Sequence, residues 1–263
     1  MKKKDKLIVF LSIVIVILVV VILVLLIKKG LPINSKNSIV IDAYKYVSNS
    51  DLERCNGLVM YNKDKVTKDT LENTTKICLS YNLLDEKGEE VKLDKNKKNN
   101  LCTLKDDMVF ALDNYEGDIC TISKISKDEV HKQYKKLFGE ELKTDESFQL
   151  DNVSICHYSE GYYYCGLSEK YTYSIGGEPH TYRTIKNSYK KDDKLIIYDY
   201  FLKVINDECY TSFMTNDKND KCSKKYDNKK SVDYNFMKRY GKVYKHIFQK
   251  DGDNYYWVSS EAE

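Results

Sequence analysis

The segment VSICHYSEGYYYC, residues 153–165, decides the fold because it predicts a β-hairpin closed by a disulfide bond. Its Glu160-Gly161 step is a typical two-residue hairpin loop, which pairs positions whose numbers sum to 321. Cys156 then faces Cys165 at a non-hydrogen-bonded site, where Cα atoms lie about 4.5 Å apart and a disulfide can bridge them. The segment therefore predicts an antiparallel sheet and the disulfide Cys156–Cys165.

The other cysteines also favour disulfides. All eight follow residue 50, and none lies in a C-x-x-C motif. Zinc knuckles and thioredoxin-type redox sites need two thiolates a short turn apart, so both are excluded. Cys209 and Cys222 flank the polar residues 216–220, and we predict that they form a second disulfide. The remaining four allow three pairings, among which the sequence does not choose: Cys55, Cys78, Cys102 and Cys120.

Further hairpins are expected towards the C terminus. Residues 180–190 and 195–205 flank a turn at Asp192-Asp193, which pairs positions summing to 385 and sets Lys186 against Asp199. The second of these segments is mostly apolar on both faces, which indicates a central strand. A last hairpin is predicted over residues 242–249 and 255–260.

A helix should precede this sheet. Ser126-Lys127-Asp128-Glu129 is a capping box, in which the Ser and Glu side chains satisfy free backbone N–H groups. Val130, Tyr134 and Leu137/Phe138 then lie on one helical face, a spacing typical of a face that packs against a sheet. We therefore predict an α+β fold with helices packed on a mainly antiparallel, curved β-sheet. The helical part covers about 41–139 and the sheet part about 148–263.

The first 29 residues differ from the rest. Residues 7–27 contain one polar side chain, Ser12, among 21. At 1.5 Å per residue this run is about 31 Å long, which matches the roughly 30 Å hydrocarbon core of a bilayer. A cleavable signal peptide would have a shorter apolar stretch. The sequence predicts a cytoplasmic tail over 1–6, an N-terminal transmembrane helix over 7–27 with the lipid bilayer as its partner, a spacer over 28–40 and an extracytoplasmic domain over 41–263.

Charge and cysteine content determine the expected location. After residue 29 the chain holds 37 Lys+Arg and 39 Asp+Glu, so it lacks the basic surface that nucleic-acid binding needs. Lysines flank residues 7–27 on both sides, so the positive-inside rule does not decide the orientation. Eight cysteines suit an oxidising compartment. We therefore predict a single-pass cell-membrane protein whose N terminus is cytoplasmic and whose C-terminal domain lies outside. The alternative is a cytosol-facing thiol protein.

No sequence motif identifies a catalytic, cofactor or metal site, so none is predicted. His157 lies beside Cys156, but neighbouring strand residues point to opposite faces, which argues against a Cys/His nucleophile. Tyrosine is abundant, with 23 residues, and aromatic side chains on outward strand faces are typical of contact sites for proteins and glycans. The candidate binding surface consists of Tyr162, Tyr164, Tyr171, Tyr173, Tyr182 and Trp257.

Three short motifs carry a resemblance. They are Lys136-Leu137-Phe138-Gly139, Tyr244-Lys245-His246-Ile247-Phe248 and Tyr255-Tyr256-Trp257. Together with the Lys-rich tail and the apolar segment, they make residues 126–263 resemble uncharacterised membrane-anchored proteins of AT-rich Gram-positive bacteria. That resemblance implies a location but no activity. A helix on a curved antiparallel sheet is also similar to the cystatin/NTF2-like architecture, which anchored secretion-apparatus subunits use.

Two functional hypotheses follow from these features. The first is a membrane-anchored, extracytoplasmic binding or assembly module without enzymatic activity, whose partner is another envelope protein or a glycan. The second is an envelope hydrolase or transferase that uses His180 or His157 with nearby carboxylates.

Overall fold

The structure, a computed structural model, consists of an N-terminal helix followed by antiparallel sheets and shorter helices. It describes residues 3–49, 55, 60–62, 64–97, 99, 101–105, 108–113, 117–170, 180–205, 208–212, 220–222 and 232–263. Side chains of the N-terminal helix are described over residues 10–24.

The described residues form five α-helices and fourteen strands. The helices are α1 Lys3–Lys29, α2 Ser38–Ser48, α3 Asn73–Asn82, α4 Lys127–Phe138 and α5 Tyr234–Tyr240. The first strands are β1 Leu31–Ile33, β2 Val66–Thr67, β3 Glu89–Asp94, β4 Leu101–Lys105, β5 Met108–Ala111, β6 Ile119–Ser126 and β7 Phe148–Gln149. The others are β8 Ser154–Ser159, β9 Tyr162–Leu167, β10 His180–Lys191, β11 Lys194–Ile205, β12 Glu208–Tyr210, β13 Lys242–Asp251 and β14 Asn254–Ala262.

Seven strands form the larger sheet, which we call sheet A. Its order is β1-β10-β11-β13-β14-β2, with β12 added to β11, and all neighbours are antiparallel. The mostly apolar β11 is central, as its sequence predicts. A bulge between Ile185 and Asn187 shifts the register of β10, so that Ile185 lies opposite Asp199 where the sequence predicts Lys186.

Five strands form sheet B, in the order β3-β6-β9-β8-β7, and β4 and β5 form a separate pair. The β8–β9 hairpin has the register that the sequence predicts, with Cys156 opposite Cys165 and their Cα atoms 4.0 Å apart. Both loop residues adopt left-handed backbone angles, with φ of 50° at Glu160 and 82° at Gly161. These angles are those of a type I′ turn, whose twist matches that of paired strands.

Helices α2, α3 and α4 share one apolar core with both sheets. The Ser126 side chain begins α4 by accepting a hydrogen bond from the Asp128 backbone N–H at 3.2 Å. One face of α4 is buried, as its spacing predicts, through Val130, Tyr134, Leu137 and Phe138. A second cluster of buried apolar residues lies between sheet B and the β4–β5 pair. A third such cluster lies between sheet A and α5.

All eight cysteines form disulfides. The structure contains both predicted pairs, Cys156–Cys165 and Cys209–Cys222. The pairs that the sequence left open are Cys55–Cys78 and Cys102–Cys120. Because disulfides persist in oxidising compartments and are rare in the cytosol, these four bonds indicate an oxidising, extracellular environment. They disagree with the alternative of a cytosol-facing thiol protein.

The fold-class prediction requires two corrections. Among the described residues no helix is both long and apolar enough to cross a membrane, so the transmembrane helix predicted over 7–27 is wrong. The expectation of one curved sheet is also wrong, because the strands divide into three antiparallel sheets. Strands β2 to β6 lie within residues 41–139, and several are too polar for apolar alternation to reveal them. Within the predicted spacer, β1 pairs with β10.

Candidate functional site

A buried carboxylate, Asp199, lies at the centre of a polar network in the described core. Its Oδ2 accepts hydrogen bonds from the hydroxyls of Tyr44 and Tyr61, each at 2.7 Å. Its Oδ1 lies 3.1 Å from Nε2 of His246, whose Nδ1 lies 2.6 Å from Oγ of Ser260. We call these five residues the Asp199 centre.

The strand order of sheet A brings three members of the Asp199 centre together. His246 on β13 lies directly opposite Ser260 on β14 and opposite Ile197 on β11. Asp199 is two residues beyond Ile197 and therefore points to the same face of the sheet. From the helical side, α2 contributes Tyr44. The centre thus joins residues that are far apart in the chain.

The hydrogen-bond chain assigns the proton positions. An ionised carboxylate only accepts hydrogen bonds, so Nε2 of His246 donates to Asp199. The indole Nε1–H of Trp257 donates to Ser260 Oγ at 2.9 Å, which leaves the Ser260 hydroxyl to donate to Nδ1. The Nε2–H tautomer of His246 therefore satisfies every member of the chain.

Burial and the nearby charge keep both tyrosines protonated. Desolvation raises the pKa of Tyr44 and of Tyr61 well above the usual value, and the charge of Asp199 raises both further. The Tyr61 ring also stacks on Phe201, with ring centroids 4.4 Å apart. Each tyrosine therefore acts as a fixed hydrogen-bond donor to the carboxylate rather than as an acid or base.

Hydrogen bonds link Asp199, His246 and Ser260 in the same Asp–His–Ser sequence as in a hydrolase triad. The three residues cannot act as a triad in this fold. A nucleophilic serine must reach a substrate carbonyl, with a general base beside it. All three residues have no solvent-exposed surface. The arrangement is therefore a cross-sheet polar network, in which every buried polar group gains a partner.

No family model, curated protein or solved structure matches this chain. The resemblance to anchored proteins of AT-rich Gram-positive bacteria and the cystatin/NTF2-like analogy therefore stay predictions.

The six aromatic residues of the candidate binding surface do not form one surface. Trp257 is wholly buried and Tyr164 is 8% exposed, so neither can take a ligand, because each fills a core. Tyr182 is partly buried and packs against the cluster under α5. Tyr171 and Tyr173 lie outside the described residues. Tyr162, 39% exposed, remains available for contact, and its ring lies beneath the Lys124 ammonium at 4.4 Å.

The two histidines of the hydrolase hypothesis lie apart from the Asp199 centre. His180 is exposed at the start of β10. His157 is partly buried on β8 and lines an open cleft of about 450 Å³ together with Ser168 and Glu169. Its neighbour Cys156 is held in a disulfide and cannot act as a nucleophile. Among the described residues, no three His, Cys, Asp or Glu side chains are grouped to hold a metal ion.

The sequence contains one signal that points to the Asp199 centre. Asp199 interrupts a strand that is apolar on both faces, and a buried carboxylate needs donors close by. Periodicity alone does not identify those donors. Tyr44 and Tyr61 are 155 and 138 residues away in the chain, so only the tertiary fold selects them.

Proposed function

We propose that the protein is a binding or assembly module that acts outside the cytoplasm and is attached to a lipid bilayer through residues 7–27. The observation that carries the proposal is the pairing of all eight cysteines in a domain that follows an exposed apolar helix. Disulfides stabilise domains in oxidising compartments, and exposed apolar surface requires an apolar partner.

The helix α1 supports the lipid contact. Thirteen of its large apolar side chains, from Phe10 to Val24, are 44–64% exposed. Exposed apolar surface of this extent promotes aggregation in water and favours binding to lipid. Outside α1, three of the six exposed large apolar residues in the described chain follow within twelve residues of its end: Leu31, Ile39 and Ile41. The proposal concerns contact with lipid and not a membrane span.

The burial of the Asp199 centre supports binding rather than catalysis. Its three triad-like residues have no exposed surface, so the network holds the fold together and leaves the outer surface for contacts. The proposed partner is another envelope protein or a glycan. Tyr162 is the aromatic contact best placed for it, because its exposed ring carries a lysine ammonium on one face.

Vesicle flotation tests the lipid contact. The full chain should float with phosphatidylcholine vesicles in a density gradient. The double variant Val16→Asp/Val20→Asp should stay in the dense fraction, because the binding of an apolar helix surface to lipid scales with the apolar area that it buries. Ile119→Asp is the matched control, since Ile119 is 44% exposed on β6, and it should float normally. A wild-type chain that stays in the dense fraction would refute the attachment.

Cross-linking in oxidised envelope extracts tests the binding role. A specific adduct should form with the wild-type chain and weaken severalfold in Tyr162→Ala. Tyr234→Ala serves as the control, because Tyr234 is 48% exposed but lies on α5. Absence of any adduct, combined with turnover of a small substrate that His157→Ala abolishes, would favour the hydrolase or transferase instead.

A further inference from the structure

We infer that an open cleft on sheet B, on the face that points away from the main core, binds a neutral sugar chain. The cleft measures about 450 Å³ and lies between the β7–β8 turn, the turn after β9 and strand β5. A volume of this size is typical of small-ligand sites. This inference rests on the binding role proposed above and names a glycan, rather than an envelope protein, as the ligand.

Strand pairing in sheet B creates the floor of the cleft. Gln149 on β7 lies opposite Ile155 on β8, and Ile155 lies opposite Gly166 on β9. The adjacent residues Cys156 and Cys165 belong to the main core. Because successive side chains of a strand point to opposite faces, the row from Gln149 to Gly166 lies on the other face.

The β4–β5 pair forms a fixed wall beside this floor. A Cβ atom at Gly166 would lie 2.9 Å from Cδ1 of Phe110, so the absence of a side chain there lets the Phe110 ring approach the sheet. The Phe110 ring meets the His157 ring edge to face, with centroids 5.4 Å apart. The disulfide Cys102–Cys120 ties β4 to β6. The wall therefore cannot move away from the floor easily.

Backbone hydrogen bonds hold both rims of the cleft in place. Asp151 Oδ1 accepts from the backbone N–H groups of Val153 and Ser154, at 2.8 and 2.6 Å. The Ser168 N–H donates to the Val153 carbonyl oxygen at 2.8 Å, and Ser168 Oγ accepts from the Lys170 N–H at 3.3 Å. The cleft is thus preformed, so a ligand loses little free energy to ordering the rims.

The side chains of the cleft suit a ligand with many hydroxyl groups. Asn152 offers a donor and an acceptor, the Glu169 carboxylate accepts, and the Lys170 ammonium donates. All three are exposed, and their side chains make no hydrogen bond or ion pair with the other described residues. The charges of Glu169 and Lys170 cancel, which favours a neutral ligand. Val109 and Ile155 add an apolar patch that can contact the C–H groups of sugar rings.

The main alternative ligand for such a cleft is an extended peptide. A peptide that adds to a sheet needs an unpaired strand edge for its backbone hydrogen bonds. The strand at this edge of sheet B, β7, is only two residues long. Helix α3 packs beside it, with the Tyr81 and Phe148 ring centroids 5.7 Å apart. The surroundings of the cleft therefore favour a sugar chain over a peptide.

Calorimetric titration with chitotetraose, a neutral chain of four N-acetylglucosamine units, tests the cleft. The full chain is kept in a nonionic detergent without a sugar head group, and saturable binding is expected. Asn152→Ala/Glu169→Ala should weaken the affinity about tenfold, the effect of losing two ordinary hydrogen bonds. The matched control is Asn254→Ala/Glu90→Ala, an exposed Asn and Glu outside the cleft, which should bind like the wild type. Absence of saturable binding, or equal losses in the two variants, would overturn the inference.

Three further observations separate the possible outcomes. Binding of tetra-alanine as tight as that of chitotetraose would overturn the choice of a sugar chain. Cleavage of chitotetraose that His157→Ala abolishes would make the cleft an active site and overturn the non-enzymatic role. A cross-linked envelope adduct without any sugar binding would refute the cleft alone, whereas the absence of both would refute the proposed binding role as well.

Discussion

Replacing Asp199 with alanine removes the acceptor that three side chains share. Tyr44 is partly exposed and can turn to water, but Tyr61 and His246 are wholly buried and would lose their partner without replacement. An unsatisfied buried donor costs about 1–3 kcal/mol. The two donors of Tyr61 and His246 together therefore cost about 2–6 kcal/mol. We therefore expect Asp199→Ala to lower the free energy of unfolding by about 3–5 kcal/mol.

Urea unfolding of the full chain in nonionic detergent measures this loss. The fluorescence of Trp257, the one tryptophan of the chain, reports the transition because its indole is part of the same network. Asp199→Asn should lose about half as much stability, since its amide oxygen still accepts hydrogen bonds while its NH₂ group cannot. Asp42→Ala is the control: that side chain is 69% exposed and pairs with Lys45, so its loss should cost less than about 0.5 kcal/mol.

The result that would refute the reasoning is a loss below about 1 kcal/mol for Asp199→Ala at an unchanged denaturant dependence. Such a loss would mean that water or other side chains replace the carboxylate, and that the centre does not hold the fold together. A loss of about 3–5 kcal/mol in the Asp42→Ala control would also contradict the reasoning, because an exposed ion pair contributes little to the free energy of unfolding.

Three other measurements test separate features. The double variant Cys156→Ala/Cys165→Ala should lower the free energy of unfolding by about 2–3 kcal/mol, because the disulfide closes a short loop. The wild-type chain should show no free thiol in denaturant, and any reactive thiol would contradict the pairing. Burial, together with the charge of Glu140, raises the pKa of Tyr134 to about 12. The protonated Tyr134 hydroxyl therefore stabilises the fold fully below pH 10, and this contribution disappears as the pH rises through 12. Absorbance titration at alkaline pH should show one tyrosine that ionises late, and Tyr134→Phe should remove that signal. Ser126→Ala should lower the free energy of unfolding by about 1 kcal/mol, because it removes the side chain that caps α4, whereas Ser126→Asp should keep the cap and the stability. Equal losses in the two variants would rule out the capping role of Ser126.

Local chemistry explains what the sequence could predict. The Glu160-Gly161 loop determines the register of its hairpin, because only one pairing follows from a two-residue turn. The disulfide Cys156–Cys165 follows from that register. The helix after Ser126 is equally local, since its cap and its apolar face lie within thirteen residues.

Features that depend on distant contacts could not be predicted in the same way. The bulge next to Asn187 moves Asp199 by one position along β10, and no turn rule contains that information. Trp257 follows the regular alternation of β14 and lies on the same buried face as Tyr255. Alternation separates the two faces of a strand but does not tell which of them the rest of the fold covers. Strand β3 is largely charged and becomes recognisable only through its pairing with β6.

The disulfide pattern also constrains how the protein can be made. Each cysteine pairs with the next one along the chain, at separations of 23, 18, 9 and 13 residues. During synthesis, each bond can form before the cysteines of the following pair emerge, so the native pairs need no reshuffling. The Asp199 centre differs, because Tyr44 lies near the N terminus while its partners Asp199, His246 and Ser260 lie on strands near the C terminus. The centre can therefore form only after those strands have been synthesised. Oxidation can thus proceed in chain order while final packing occurs only after the last strand is released.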